Sequence, residues 1–407
     1  MSSNISRFPL RNAHAGAAAK DRAGALKARA AAAAEVAASF ADAVDREGRF
    51  PREAFEAIRE QKLLGLLIPG ALGGEDASAA EIVDICYILG RACASTAMVY
   101  AMHQTKIACL VRHAAGNAWQ EGLQRQIAEK QLLMASSTTE GANGGNIRSS
   151  EAAIQNKGSH IALERNASVI SYGEHADGIV TTARRAEAAA SSDQVLVAFL
   201  KENYTLERTQ SWDTLGMRGT CSAGFILRAQ GDPDQILPEP YDRIHSQTMM
   251  PLAHLFWSAA WSGVAAGAVQ RARAFVRKAA RAAEGKLPPA AAHLTRARVS
   301  LETLRGAVQS ALQKFELHSS NPQSLTAMDV QIALNFLKVE ASELAVVIVM
   351  GAMRACGLSG YRNDGEFSIG RYLRDILSSP IMINNDRILA DAQAAVLMSD
   401  VPAGLSE

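Results

Sequence analysis

"MMPLAHLFWSAAWSGVAAGAV", residues 249–269, is almost continuously apolar and about long enough to cross a bilayer. Its reading decides whether the chain is a membrane protein or a helical bundle in water. Against spanning, the stretch contains Pro251, His254 and several Ser and Gly, stands alone, and runs into "QRARAFVRKAARAAEG" with no break in helical pattern. A helix enclosed by protein on all sides reads the same way. The expectation is a buried core helix and no membrane span.

Downstream of it, Leu294, Ala297, Leu301, Leu304, Val308, Leu312 and Phe315 recur at three- and four-residue steps, and two further helical patterns cover 326–355 and 386–399. Four long helices joined by short loops predict a C-terminal four-helix bundle over 246–407. Upstream, residues 134–245 change texture. "HIALERNASVISY", "GIVTTARR", "QVLVAFL" and "AGFILRAQ" are short β-branched runs broken by Gly, Asp, Asn and Ser. Such spacing predicts a small β-barrel or sandwich. Residues 1–133 are helix-compatible nearly throughout, with turn signals at "PGALGGED" and "AAGN". The fold class is α+β, mostly α: an N-terminal all-α domain, a middle β domain, here taken as a small barrel, and the bundle.

Whole-chain numbers agree with this division. A chain of 407 residues is too long for one core and predicts two or three packed units. With 48% hydrophobic residues, 20% charged and a net charge of +1, it is globular and lacks the positive field a nucleic-acid binder relies on. Five widely spaced cysteines, Cys86, Cys93, Cys109, Cys221 and Cys356, never form CxxC, so neither a disulfide framework nor a metal site is indicated. A reducing compartment follows. The first twenty residues carry Arg7, Arg11, Lys20 and serines without an acid, but the alanine-rich run after them reads as helix, and cytoplasm is the expected location.

Several short motifs then fall in one order. They are "TTEGANGGN" at 138–146, "VISYGEHAD" at 169–177, "LGMRGTCS" at 215–222, "LKVEASELA" at 337–345, and "GLSGY" followed by "EFSIGRYLRD" within 357–375. With the helical, β, four-helix order, they resemble the acyl-CoA dehydrogenase superfamily over about residues 45–400. Independently of that resemblance, a glycine-rich turn such as 141–145 can aim successive backbone N–H groups at an anion such as a pyrophosphate.

The resemblance implies FAD as cofactor and assigns positions to it. Thr139, Gly144 and Gly145 would lie at the flavin phosphates and ring edge, and Ser171 would face flavin N5. Arg281 and Arg354 would reach the flavin of a neighbouring subunit, which implies a homodimer or homotetramer. It further implies a small-molecule substrate such as an acyl-CoA, with an electron-transfer flavoprotein or a flavin reductase as redox partner. The ring-packing tryptophan of the family is Val169 here.

The residues that perform the family's reaction are not carried over. Dehydrogenation of an acyl thioester needs a base for the α-proton. The family's usual glutamate, counted nine residues from Arg374, falls on Ile383, and the alternative on the first bundle helix falls on Trp257. The D-x-x-R that helps to hold CoA falls at Leu255 and Ser258, and "RDILSSPIMINND" has none of the histidines common in the superfamily's monooxygenases. His103, in "YAMHQTKIACL", and His254 remain as candidate catalytic groups, each weighed against a satisfied core histidine. Asn384, Asn385 and Asp386 read as helix-capping residues. The leading expectation is a FAD-dependent oxidoreductase acting on an acyl thioester or related small molecule. The alternatives are a flavin-dependent monooxygenase or oxidase on the same fold, or a catalytically silent flavin-binding paralogue.

Overall fold

The structure, a computed structural model, describes residues 18–141, 147–401 and 403–404. The N-terminal helices are α1 (Ala18–Glu47), α2 (Arg52–Glu60), α3 (Ala79–Ala92), α4 (Ala94–His113) and α5 (Ala118–Lys130). α1 owes its seat to an alanine stripe: Leu26, Ala30, Ala33, Ala37 and Ala41 are buried at helical spacing and lie against α3. α3 starts on a capping box, in which Ser78 Oγ accepts from Glu81 N and the Glu81 carboxylate accepts from Ser78 N at 2.8 Å.

Seven strands follow: β1 (Met134–Ser137), β2 (Gln155–Asn156), β3 (Ile161–Ala167), β4 (Gly178–Arg184), β5 (Gln194–Leu200), β6 (Tyr204–Gln210) and β7 (Gly224–Gly231). They form two sheets, one ordered β1-β4-β5 and the other β2-β3-β7-β6. β1 runs parallel to β4, with Ser137 opposite Thr181, and all other strand pairs are antiparallel. β4 and β5 are buried almost end to end, so the first sheet has both faces covered. β3 alternates buried and exposed residues, so one face of the second sheet meets solvent.

The C-terminal unit comprises α6 (Tyr241–Ile244), α7 (Met250–Ala282), α8 (Ala291–Ser319), α9 (Met328–Cys356), α10 (Leu358–Tyr361), α11 (Gly370–Ile376) and α12 (Asn385–Met398). A π-helical turn, His245–Met249, joins α6 to α7. α7, α8, α9 and α12 are the four long helices read from the sequence. The apolar stretch that posed the membrane question lies in the molecule's interior and is buried almost throughout. Its glycines serve packing. A side chain added at Gly263 would come within 2.2 Å of Tyr87 O, and one at Gly90 within 2.3 Å of Ala260 O, so α3 and α7 cross backbone to backbone. A composition that suits lipid equally suits a helix packed on α3, α4, α8 and α9.

Candidate active site

A cavity of about 980 Å³ opens where the β unit meets the helices. Helical spacing builds its walls. Met98, Met102, Thr105 and Lys106 of α4, Met250, Ala253, His254 and Trp257 of α7, and Met328, Gln331, Ile332 and Asn335 of α9 each form one stripe facing it. α12 adds Ile388 and Asp391, and the β unit adds Thr138, Thr139, Val169, Ser171 and Ser222. Among the described lining residues Asp391 is the only carboxylate, and it is exposed at the outer end.

The β side is a row of hydroxyls with a defined polarity. Thr220 Oγ1 donates to Met217 O at 2.8 Å, a carbonyl that can only accept. Ser222 Oγ, 2.8 Å from Thr220 Oγ1, must then donate to it, and Ser171 Oγ, 2.8 Å from Ser222 Oγ, must donate in turn. The chain therefore consumes the Ser171 proton and leaves its lone pairs for a donor in the cavity. Glu140, within the glycine-rich stretch, is buried and anchors the chain beside it, accepting from Glu151 N and Ala152 N at 2.6 and 3.1 Å and pairing with Arg165 at 3.4 Å.

The opposite side is formed by the segment after α11. Asp375 ties it to the β unit by accepting from Met217 N at 2.7 Å. Burial raises the Asp375 carboxyl to about 6, with Arg371 opposing the rise. Gly216 allows the approach, because a side chain there would meet Arg374 O at 2.1 Å. Thus "LGMR" and "RYLRD", far apart in sequence, are one tertiary joint. Arg371 and Arg374 extend it to α1 by pairing with Asp42 and Asp45.

Lys338 of α9 lies under the same segment. It is fully buried and donates to Ser379 O at 3.1 Å and Asn385 Oδ1 at 2.6 Å, while Asn385 Nδ2 donates to Ser342 Oγ and Glu343 Oε1. The "LKVEASELA" stretch is therefore the floor of this loop. Asn384 is the N-cap of α12, accepting from Asp386 N at 3.0 Å, as its residue type suggests. Ile383 lines the cavity with φ of 51°, a conformation strained for a β-branched residue.

Of the residues singled out from sequence, Thr139, Ser171 and His254 come together on the cavity. Gly144 and Gly145 lie outside the described residues. Arg281 and Arg354 are exposed near the ends of α7 and α9 and do not line the cavity. His103 does not line it either. Its Nε2–H donates to Leu64 O at 2.9 Å and its Nδ1 accepts from Met134 N at 3.0 Å, so both ring nitrogens are committed to backbone. Burial holds it down at about 4. The catalytic role expected for His103 gives way to a structural one, because α4 turns its 98-102-105-106 stripe to the cavity and position 103 faces β1.

His254 is neutral, lowered by burial to about 3, and Nδ1–H donates to Leu334 O at 3.1 Å. Its Nε2 is left as an acceptor, with the ring tilted against Trp257. Sequence reasoning missed three groups: Ser222, Lys106 and His245. Lys106 could have been found from its position four residues after Met102 on an apolar helix.

Two family models match, "Acyl-CoA dehydrogenase, N-terminal domain" over residues 20–129 and "Acyl-CoA dehydrogenase, C-terminal domain" over 247–397. Among curated relatives, the chain is 24% identical over 325 residues to the probable FMNH2-dependent monooxygenase SfnC of Pseudomonas putida, covering 76% of this chain and 80% of that one. It is 24% identical over 351 residues to cyclohex-1-ene-1-carbonyl-CoA dehydrogenase of Geobacter metallireducens, covering 85% and 89%. Among solved structures, FMN-bound TdsC of Paenibacillus sp. A11-2 superposes with a TM-score of 0.81 at 16% identity, covering 93% of this chain and 98% of that one. Both helical units match their models, a motif between them meets one inside the C-terminal match in one tertiary joint, and the chain belongs to the acyl-CoA dehydrogenase superfamily.

Proposed function

We infer that the protein is a flavin-dependent monooxygenase, using reduced flavin and dioxygen to oxygenate a small organic substrate in the cavity. One observation carries this reading over acyl-thioester dehydrogenation: among the described residues the only carboxylate on the cavity is exposed Asp391, and Ile383 and Trp257, which the resemblance sets at the two base positions, line it without a proton acceptor. The CoA handle is missing as well, since Leu255 and Ser258 are buried in the core.

The residues present fit a flavin. A wall of hydroxyls suits its polar edge, the apolar faces of Val169, Met98 and Trp257 suit its rings, and the volume suits a ring system with a small substrate beside it. Thr139 and Ser171 would hold it on the β side. Ser171, with its proton committed inward, would accept an N–H, which reduced flavin carries at N5 and oxidised flavin does not. When bound, reduced flavin supplies electrons to dioxygen, so that one oxygen atom enters the substrate and the other leaves as water. The chain's own part is to orient and to keep dry. His254 Nε2 offers an acceptor for a substrate proton, and the methionines of α4 and α7 exclude water. The cofactor is FAD, as the resemblance implies, or FMN, as in TdsC. Exposed Val347 and Met350 on α9, beside Arg354, support a homo-oligomer.

The test is to supply chemically reduced FMN or FAD in air to purified protein with thiophenes, sulfinates and short acyl-CoAs, and to look for a product one oxygen atom heavier. Rapid anaerobic bleaching of bound flavin by butyryl- or octanoyl-CoA would return the protein to the dehydrogenases.

A further inference from the structure

Lys106 is a buried charge that the flavin site does not account for. Its side chain lines the cavity, yet the residue is only 4% exposed. Among the described residues its ammonium has one hydrogen-bond partner, the Met249 thioether at 3.3 Å, and no carboxylate. That sulfur already accepts from Tyr241 Oη at 3.4 Å. An ammonium has three donors, so two have no partner among the described residues and are open to something in the cavity. A cation held this way is costly unless an anion joins it. Burial lowers Lys106 only to about 8, so it is still mostly charged at neutral pH.

His245 and Met249 come from the π-helical turn at the start of α7, a distortion that brings both residues onto the cavity wall. Lys106 and Arg148 both act to lower His245, which sits at about 4 chiefly through burial, while Asp242 opposes them, so the two cations and this one acid lie within electrostatic reach of the imidazole. A neutral imidazole at this place can donate one N–H. Asp391, the single described acid on the cavity, is carried by α12 at the exposed end.

We propose that Lys106, with His245 beside it, binds an oxyanion of the substrate, a carboxylate or sulfinate, and so selects small organic acids over neutral molecules of the same shape. The apolar stripes of α4 and α7 then hold the rest of the molecule between this anchor and the hydroxyl wall. The inference rests on the cavity being the substrate site of the monooxygenase reading, and it can fail separately from that reading.

Isothermal titration calorimetry on the flavin-loaded protein tests it, with hexanoate and hexanesulfinate against hexanamide, an uncharged probe of similar size. Both anions should bind at least about tenfold more tightly than the amide, the worth of a hydrogen bond to a charged group. Lys106→Met should erase that preference, leaving hexanamide and flavin affinities as they were, and Lys106→Arg should restore part of it. Equal binding of anion and amide, no binding of either anion, or an unaltered preference in Lys106→Met would overturn the proposal. So would a Lys106→Met protein that loses flavin, since Lys106 would then serve a flavin phosphate. If Lys106→Met does not fold, the wild-type preference and its response in Lys106→Arg decide. Protein that takes up no flavin yet prefers the anions through Lys106 would sink the monooxygenase reading and leave this one standing.

Discussion

Lys106 and Lys338 are both buried lysines at about 8, and desolvation is the leading cause for each. Their surroundings differ. Lys338, beneath the 379–385 segment, reaches a backbone carbonyl and an amide oxygen and lies 5.7 Å from the Trp261 ring. Lys106, at the inner wall of the cavity, has one thioether among the described residues. Burial and depressed basicity therefore do not distinguish a structural lysine from a binding one. The hydrogen-bond shell does, because Lys338 commits two of its three donors to oxygens and turns to the Trp261 ring, whereas Lys106 has a single, weak sulfur acceptor among the described residues.

The largest expected effect breaks or upholds that contrast directly. Lys338→Met strips partners from Ser379 O and Asn385 Oδ1 and should cost about 3 kcal/mol, read by urea unfolding, together with faster proteolysis near residue 380. Lys106→Met removes an ammonium with no carboxylate and should leave stability unchanged or raise it by up to about 1 kcal/mol. Equal losses would mean that the two shells are equivalent after all.

Acid sharpens the same distinction with a histidine. His103 accepts a backbone N–H on Nδ1 and donates on Nε2, so a second proton has no place, and its folded value of about 4 lies below the ordinary 6.5. Its stability contribution is present above 6.5 and fades as pH falls toward 4, amounting to about 2 kcal/mol lost by pH 5. His103→Gln, which keeps one donor and one acceptor, should recover roughly that amount of the acid loss in unfolding curves at pH 7 and 5. Asp375 runs the other way: raised to about 6, it favours the folded state at low pH and withdraws that support as pH climbs through 4 to 6.

Ile383 offers a smaller effect. Ile383→Gly relieves the left-handed strain at the cavity and should stabilise by about 1 kcal/mol, with the melting temperature as readout. A drop instead would mean that the side chain's packing outweighs its backbone strain. Smallest is an alkaline response. With folded values of about 8 against an ordinary 10.5, each lysine makes the protein more stable as pH rises, by roughly 0.7 kcal/mol between pH 7.5 and 8.5. Lys106→Met should remove one of the two increments, measured by denaturant titration at both pH values.

Sequence alone determined the order of helical, β and bundle units, because periods of 3.6 and 2 are local properties of burial. Through the family resemblance, a motif and an offset were also enough to point to Ile383 at the position of the usual catalytic glutamate. Turn chemistry was equally legible, as the Asn384 cap attests. Tertiary structure decided what depends on which way a helix is turned. His103 and Lys106 are three residues apart on α4, and only the packing of α4 on β1 and the π-turn sends one to the backbone and the other to the cavity. The direction of the Ser171 hydroxyl chain depended on a carbonyl at Met217, and the joint between "LGMR" and "RYLRD" on Asp375 meeting that residue's N–H. The physical reason is common to all three: hydrogen-bond partners distant in sequence settle the role of a buried polar side chain, and no local pattern records them.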